Sequence, residues 1–236
     1  MKTRVLSLLA SVLFIICIPL LLVTSSARIA INTPQLYEYG WNKYDVITTS
    51  GLDISELHEV NQGVIDYFNT NGQLEVSDYF RDREVRHLAD VKDLVRIGYR
   101  IQEATLIYVI LYIFFGYLIG KRKLWPLLAK RLIWGSGLAF GIFAASGIAL
   151  AVNYDGIFTW FHEVSFSNYL WLGLPSDMMT KLYPEDFFFD AAIYVVIATI
   201  AECLIVGGVS VWYLRWRRKR LLTGVTTGGG AGTTSA

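Results

Sequence analysis

Residues 104–152 read ATLIYVILYIFFGYLIG (104–120), KRKLWPLLAKR (121–131) and LIWGSGLAFGIFAASGIALAV (132–152). Two uncharged apolar runs flank a short loop that carries Lys121, Arg122, Lys123, Lys130 and Arg131 and no acid. At 1.5 Å rise per residue the runs reach about 26 and 32 Å as helices. A bilayer's hydrocarbon core is about 30 Å thick. Lipid offers no partner to a free N–H or C=O, so a lone apolar run of this length crosses as a helix. The pair therefore reads as two crossings joined by a basic turn.

Two more runs have the same character. Val5 to Val23 carries no charge, and Ala191 to Leu214 is interrupted only by Glu202. These runs hold much of the excess that takes the chain to 54% hydrophobic residues and a mean hydropathy of +0.43. The net charge of +1 conceals a strong asymmetry. Lys2 and Arg4, the 121–131 loop, and the Arg215, Arg217, Arg218, Lys219 and Arg220 cluster together hold 12 Lys/Arg and no acid. The alternate segments, 24–103 and 153–190, hold the other 9 Lys/Arg and 19 of the 20 acids. The positive-inside rule then puts both ends and the middle loop in the cytoplasm and the two acidic segments outside.

The first run also matches a signal peptide, with Ser25-Ser26-Ala27 as the cleavage region. Its apolar stretch exceeds the usual h-region of about 7–15 residues, which favours a retained anchor. Ile16 before Cys17 is too bulky for lipoprotein processing, and Cys17 and Cys203 both lie in apolar runs, away from any disulfide or zinc pattern. Gly137 and Gly141 form a small-xxx-small spacing, read as packing inside the bundle, with homodimerisation the rarer alternative. The Gly/Thr-rich stretch 223–236 reads as a disordered tail.

The outer segments are too long to be simple loops. Pro34, Gly40 and Gly51 punctuate the first, and Tyr44-Asp45-Val46-Ile47-Thr48 reads as extended. Ser55 reads as a helix cap, and Leu57, Val60, Val64 and Phe68 recur at helical spacing up to Asn71-Gly72. A further helix begins near Arg81, with Val85, Leu88, Val91 and Val95 on one stripe and Glu84 and His87 sharing a face. Unbroken, it would lift His87 roughly 25 Å above Ala104. A bend at Gly98, or a helix lying along the membrane, is expected instead. The 153–190 segment is crowded with aromatics, which suits an interfacial belt, yet His162, Ser165, Ser167 and Asn168 are set among them.

All three histidines, His58, His87 and His162, fall in the outer segments. Histidine is the side chain whose charge changes near neutral pH. His58 lies on the polar side of its helix, an ordinary surface position. His87 has acids one turn away on either side, and His162 is a polar ring in an apolar setting that demands a partner or a role. Glu84-x-x-His87 also matches half of a di-iron site, but no second such pair exists, and neither an HExxH nor a CxxC spacing appears. Ser165 and Ser167 near His162 do not make a triad by spacing alone. Glu202 in the middle of an apolar run is costly when charged, which points to a protonated acid or a polar bundle interior.

Two blocks carry a family resemblance. Arg83-Glu84-Val85-Arg86-His87-Leu88-Ala89-Asp90-Val91-Lys92 is the first. The second is Phe161-His162-Glu163-Val164-Ser165-Phe166-Ser167-Asn168, followed by Trp171, Pro175, Asp177, Leu182, Pro184 and Phe187-Phe188. Together they resemble the bacterial lipoprotein intramolecular transacylase family, Lit, over nearly all of the chain to about Arg220. The resemblance implies transfer of the sn-2 acyl chain of a diacylglyceryl-cysteine lipoprotein onto that cysteine's own α-amino group. The product is an N-acyl, S-monoacylglyceryl lyso-form, made without cofactor, metal or external acyl donor. It implies a histidine pair as the chemical core, here His87 and His162. An amine must lose protons and an alkoxide must gain one, which two histidines near neutrality can serve. Glu84 or Glu163 would orient an imidazole, and Arg86, Ser165, Ser167 and Asn168 are candidate donors to an oxyanion or headgroup.

The expected fold is mainly α. A four-helix membrane bundle (spans about 5–23, 104–120, 132–152 and 191–214) forms one domain over 1–222. It has a partly helical extracytoplasmic cap at 24–103 and an aromatic loop at 153–190. The expected partners are a diacylated lipoprotein N-terminus and membrane lipid, with no nucleic acid, and the working unit is a monomer in the bacterial cytoplasmic membrane with its site on the outer face. A membrane phospholipase or lipoprotein deacylase, and a non-catalytic envelope scaffold, are the competing readings.

Overall fold

The structure is a computed structural model, and it describes residues 2–228, with side chains for 4–222. It contains helices and turns and, among the described residues, no strand. The helices are α1 (Lys2–Ile31), α2 (Pro34–Lys43), α3 (Val46–Ser50), α4 (Ile54–Asn69), α5 (Asp82–Gly120), α6 (Leu124–Val152), α7 (Tyr154–Ser165), α8 (Met178–Leu182) and α9 (Glu185–Gly228). Helix α9 runs through residues 223–228, where the composition predicts a disordered tail, and residues 229–236 of that tail lie outside the described residues.

Three helical stretches among the described residues are long and apolar enough to cross a membrane: Arg4–Ile31, Asp82–Val152 and Glu185–Leu222. The second has 71 residues, far more than the roughly 20 that one crossing needs. It is not one rod. Lys121 leaves helical geometry with φ 45°, and Lys121–Lys123 form a 3-10 turn. A Cβ on Gly116 would come within 2.8 Å of the Leu124 side chain, and the Tyr117 and Trp125 rings lie 6.4 Å apart. Residues eight apart in a straight helix are separated by about 12 Å along the axis. The chain therefore turns back at the basic loop.

Helix α1 packs against α5, α6 and α9, and α6 packs against α9. Its contacts with α5 descend in antiparallel register: Asn32 Nδ2 donates to the Tyr99 hydroxyl (2.7 Å), Gln102 Nε2 to the Ser25 hydroxyl (3.0 Å), and the Tyr108 hydroxyl to the Ala10 carbonyl (2.8 Å). Phe14 and Ile18 are buried with Leu124 and Leu128 at one end of this assembly. Ser26 of α1 faces Glu202 of α9 in the interior, and the Ser26 hydroxyl and one Glu202 carboxyl oxygen are buried without a formed hydrogen bond. The outward faces are apolar, with Ile119, Trp134, Ile148 and Leu204 among the exposed side chains.

The glycine spacing does not mark the packed seam. Gly137 and Gly141 face open space, with nothing within 4 Å of where a Cβ would stand, so they do not pack the bundle. The close approach is at Gly135, where a Cβ would meet Ile18 at 2.8 Å and the Ile15 carbonyl at 3.2 Å. The register of α6 against α1 puts position 135, two residues before the motif, on the seam.

The cap is a second core. Trp41, Val46, Leu57, Val60, Val64, Phe68, Leu88, Tyr183 and Phe187 are buried together, so both outer segments contribute to it. Helix α4 is capped by Asp53, not Ser55: the Asp53 carboxylate accepts the Ser55 and Glu56 N–H groups, and the Glu56 carboxylate accepts the Asp53 N–H in return. Residues 44–48 are not extended. Asp45 takes a left-handed conformation (φ 51°), one helical turn follows, and Gly51 ends it at φ 76°. Val46 is fully buried, so tertiary burial overrides the local β preference. Gly40 is no break either: it lies within α2, where the Phe187 ring would meet a Cβ at 2.5 Å. Helix α5 is likewise continuous through Gly98, without the expected interruption. Its upper half is buried by the cap, at Glu84, His87, Leu88 and Lys92, and so has no need to lie along the membrane.

Crowding at one glycine and space at another give a paired test. Gly135→Val should lower the melting temperature in detergent, at a cost of about 1–3 kcal/mol for overpacking. Gly137→Val should leave it unchanged; equal losses would contradict this α1–α6 seam.

Candidate functional site

The first turn of α5 and the loop after α7 are fastened by buried carboxylates. Asp177 is 2% exposed. It accepts from Arg81 Nη1 at 3.0 Å, lies 3.8 Å from Arg83 Nη1, and takes the Leu174 N–H at 2.9 Å. Arg81 also donates to the Ser176 hydroxyl, and Arg83 to the Leu172 carbonyl. Glu84, 3% exposed, accepts the Arg81 N–H (2.9 Å) on one oxygen and the Met179 N–H (2.6 Å) on the other. Further along α5, Asp90 accepts from Asn168 Nδ2 at 2.9 Å, while Asn168 Oδ1 takes the Leu170 N–H.

These joints bring His87 and His162 together. Their ring centroids are 6.4 Å apart and the planes are tilted by 32°. Phe166 lies edge-on to His87 at 5.1 Å and is 5.6 Å from His162. Phe158, Phe161 and Trp171 lie 4.1, 5.3 and 4.9 Å from the His162 ring. The site is a cluster of aromatic rings packed around two imidazoles.

The hydrogen bonds distinguish the two rings. His162 Nδ1 is 2.7 Å from the Phe158 carbonyl one helical turn earlier. A carbonyl only accepts, so Nδ1 carries the proton, and in the neutral ring Nε2 keeps its lone pair. His87 is 4% exposed and its buried Nδ1 has no partner among the described residues. Burial pushes His87 down to about 4; nearby His162 and Arg83 add to this, and Asp90 opposes it. Burial also pushes His162 down, against the Phe158 carbonyl, which favours the charged ring. Both are therefore neutral imidazoles near pH 7.

The other residues singled out from sequence fare differently. Glu84 does not orient an imidazole as its helical position suggests: backbone N–H groups occupy both of its oxygens, so it caps α5 and anchors the loop. The same bonds remove it from a Glu84–His87 metal pair. Arg86 and Glu163 are exposed and make no hydrogen bond or ion pair with a described residue, and the Ser165 and Ser167 hydroxyls make none either. The Asn168 amide is committed to Asp90, which makes it a tether for the loop. His58 is half-exposed beside Glu38 and edge-on to Trp41, within the cap. Sequence reasoning missed Arg81, Asp90 and Asp177 as functional supports. The available signal for Asp177 was that it is the single acid between residues 164 and 184 of the aromatic segment, since such a group folds inward only with cationic partners.

Two outcomes follow from the burial of these groups. The folded state resists protonation of His87 between pH 6.5 and about 4, while the unfolded chain accepts it. Stability is thus fully present above pH 6.5 and falls as pH drops through that window, by about 3 kcal/mol. His87→Gln should flatten this part of a melting-temperature profile; an unchanged slope would contradict the burial. Asp177→Ala strands the Leu174 N–H and frees Arg81, and should cost about 1–3 kcal/mol in thermal melts, whereas Glu163→Ala should cost nothing measurable.

The sequence profile of the family described as lipoprotein intramolecular transacylase Lit matches residues 12–188. A stretch of 118 residues is 30% identical to an uncharacterized protein of Aquifex aeolicus, covering 50% of each; the match thus spans about half the length of that relative. The fold is similar to the in meso structure of the membrane integral transacylase Lit from Bacillus cereus, with a TM-score of 0.80 and 19% identity, over 89% of this chain and 97% of that one. Variants of the Bacillus cereus protein with one histidine replaced by arginine or by alanine each give a TM-score of 0.77 at 18% identity. They cover 93% and 92% of this chain, and 96% and 98% of theirs. At this identity the structural likeness speaks for the fold.

Proposed function

The chain belongs to the lipoprotein intramolecular transacylase (Lit) family of acyltransferases, and on that footing we propose that it moves the sn-2 acyl chain of a diacylglyceryl-cysteine lipoprotein onto the cysteine's own α-amino group through His87 and His162. The observation that carries this reading is the pair of imidazoles 6.4 Å apart within a cluster of aromatic rings.

The proton account follows from the hydrogen bonds. The substrate α-ammonium has a reference pKa of about 7.7–8.0 and first loses one proton to solvent. The neutral amine attacks the sn-2 ester carbonyl, forming the C–N bond. His162 Nε2, whose lone pair is left open by the Nδ1–Phe158 bond, takes the second amine proton. The C–O bond to the glycerol sn-2 oxygen breaks, and His162 returns that proton to it. His87 stays neutral through burial and offers its N–H to the developing oxyanion. No water is consumed and no free fatty acid is made. Because amine and ester belong to one molecule, the protein has only to fold the headgroup back on itself.

The membrane arrangement that fits this chemistry has four crossings, by α1, the lower part of α5, α6 and α9. The basic turn at Lys121–Lys123 and both chain ends lie in the cytoplasm. The cap and the histidine pair then lie at the outer surface, where the lipidated cysteine sits. The charge asymmetry supports this orientation.

Co-expression with a diacylated lipoprotein, followed by mass spectrometry of the N-terminal peptide, tests the reading. An N-acylated lyso-form of unchanged total mass is the expected product. Released fatty acid would instead mark a lipase or deacylase. His162→Ala and His87→Ala should each reduce transfer by at least about a hundredfold in folded protein. Retained transfer in either variant would remove that ring from the mechanism.

A further inference from the structure

Helix α7 has more order than the histidine site requires. Successive residues of a helix turn by about 100°. On that wheel Ile157, Trp160, Phe161 and Val164 share one arc. Asp155, Thr159 and Glu163 share the opposite one. Tyr154, Phe158, His162 and Ser165 form a third arc between them, on the side that faces the site. The apolar arc is left open by the rest of the chain: Trp160 is 61% exposed and Val164 68%.

That arc continues an existing apolar surface. Ile148 and Val152, on the last turns of α6, are 67% and 80% exposed, and only Asn153 separates α6 from α7. Beyond α7, Tyr169, Leu172 and Leu174 are also exposed. The outer face of α6 belongs to lipid. A helix that begins one residue later, with its polar residues opposite its apolar ones, has the build of a helix lying in the plane of the interface.

We infer that α7 is an in-plane membrane-surface helix whose Ile157–Trp160–Phe161–Val164 arc inserts into the outer leaflet of the bilayer. The third arc then faces sideways along the boundary between headgroups and acyl chains. His162 lies on it, at the level of the glycerol esters. This deepens the transacylase reading, since it sets the depth at which an ester is met, but the depth itself does not depend on activity.

Nitroxide labels at Thr159→Cys, Trp160→Cys, Glu163→Cys and Val164→Cys in the full chain test this, in vesicles of phosphatidylglycerol and phosphatidylethanolamine. Cys17 and Cys203 are buried and stay in place. Labels at 160 and 164 should relax strongly with oxygen and weakly with a water-soluble nickel chelate, and labels at 159 and 163 the reverse. Equal access of nickel to all four overturns the proposal. So does exclusion of both reagents from 160 and 164, which would mark a protein partner. Val164→Glu should lower transfer on a vesicle-embedded lipopeptide about tenfold and leave it near the parent level in detergent micelles; equal rates in vesicles would also overturn it. If the labels report the expected depths and the parent protein transfers no acyl chain in vesicles or micelles, the surface assignment stands and the transacylase reading fails.

Discussion

A buried carboxylate joins the two halves of the outer region. Removing the Asp177 charge from water is costly, and the cost is offset only where cations and N–H groups converge on it. Arg81, Arg83 and the Leu174 N–H do so, all from the start of α5 or the loop itself. Glu84 adds a second joint through Met179, and Asp90 a third through Asn168. The 166–182 stretch has little regular structure of its own, so these polar joints decide where it lies. Without them the Phe166 and Trp171 rings would not be held against the two imidazoles.

Lipid imposes the complementary constraint. Inside the bilayer every backbone group must be paired within its helix, so the crossings have no freedom of secondary structure. What remains free is which faces meet. Helix α1 settles that by contacting α5, α6 and α9, with Gly135 giving the closest approach. The polar groups that line α1 near its C-terminal end, Ser25, Ser26 and Arg28, meet Gln102, Glu202 and Glu103 on two neighbours. A stack of such contacts ties the bundle to the base of the cap.

The apolar runs, the basic turn and the α4 periodicity were legible because each is a local property of the chain. The histidine pair was legible only through the order of residues in two blocks; nothing in spacing says that positions 87 and 162 meet. What escaped reading was set by tertiary partners. Val46 forms a helical turn because the cap core takes its side chain, and Gly40 sits inside a helix because Phe187 lies over it. The Gly137–Gly141 motif failed because a spacing does not say which way a helix is rotated. Proximity to His87 along the helix suggests a chemical role for Glu84, whereas its oxygens serve the Arg81 and Met179 backbone N–H groups. Helix α5 runs unbroken where a bend is expected because the cap buries its Glu84, His87, Leu88 and Lys92 end.

The two histidines ride on scaffolds of unequal stiffness. His87 belongs to a 39-residue helix that also carries Tyr99, Gln102 and Tyr108, bonded to Asn32 just after α1 and to Ser25 and Ala10 within it. His162 belongs to a 12-residue helix joined to α6 by a single residue. Any change in the spacing of the rings is therefore a displacement of the short helix against a fixed post. The freedom of the rings to separate therefore lies with α7, which is held by the Tyr154 hydroxyl donating to the Glu185 carbonyl and, through the loop that follows it, by Asn168 on Asp90.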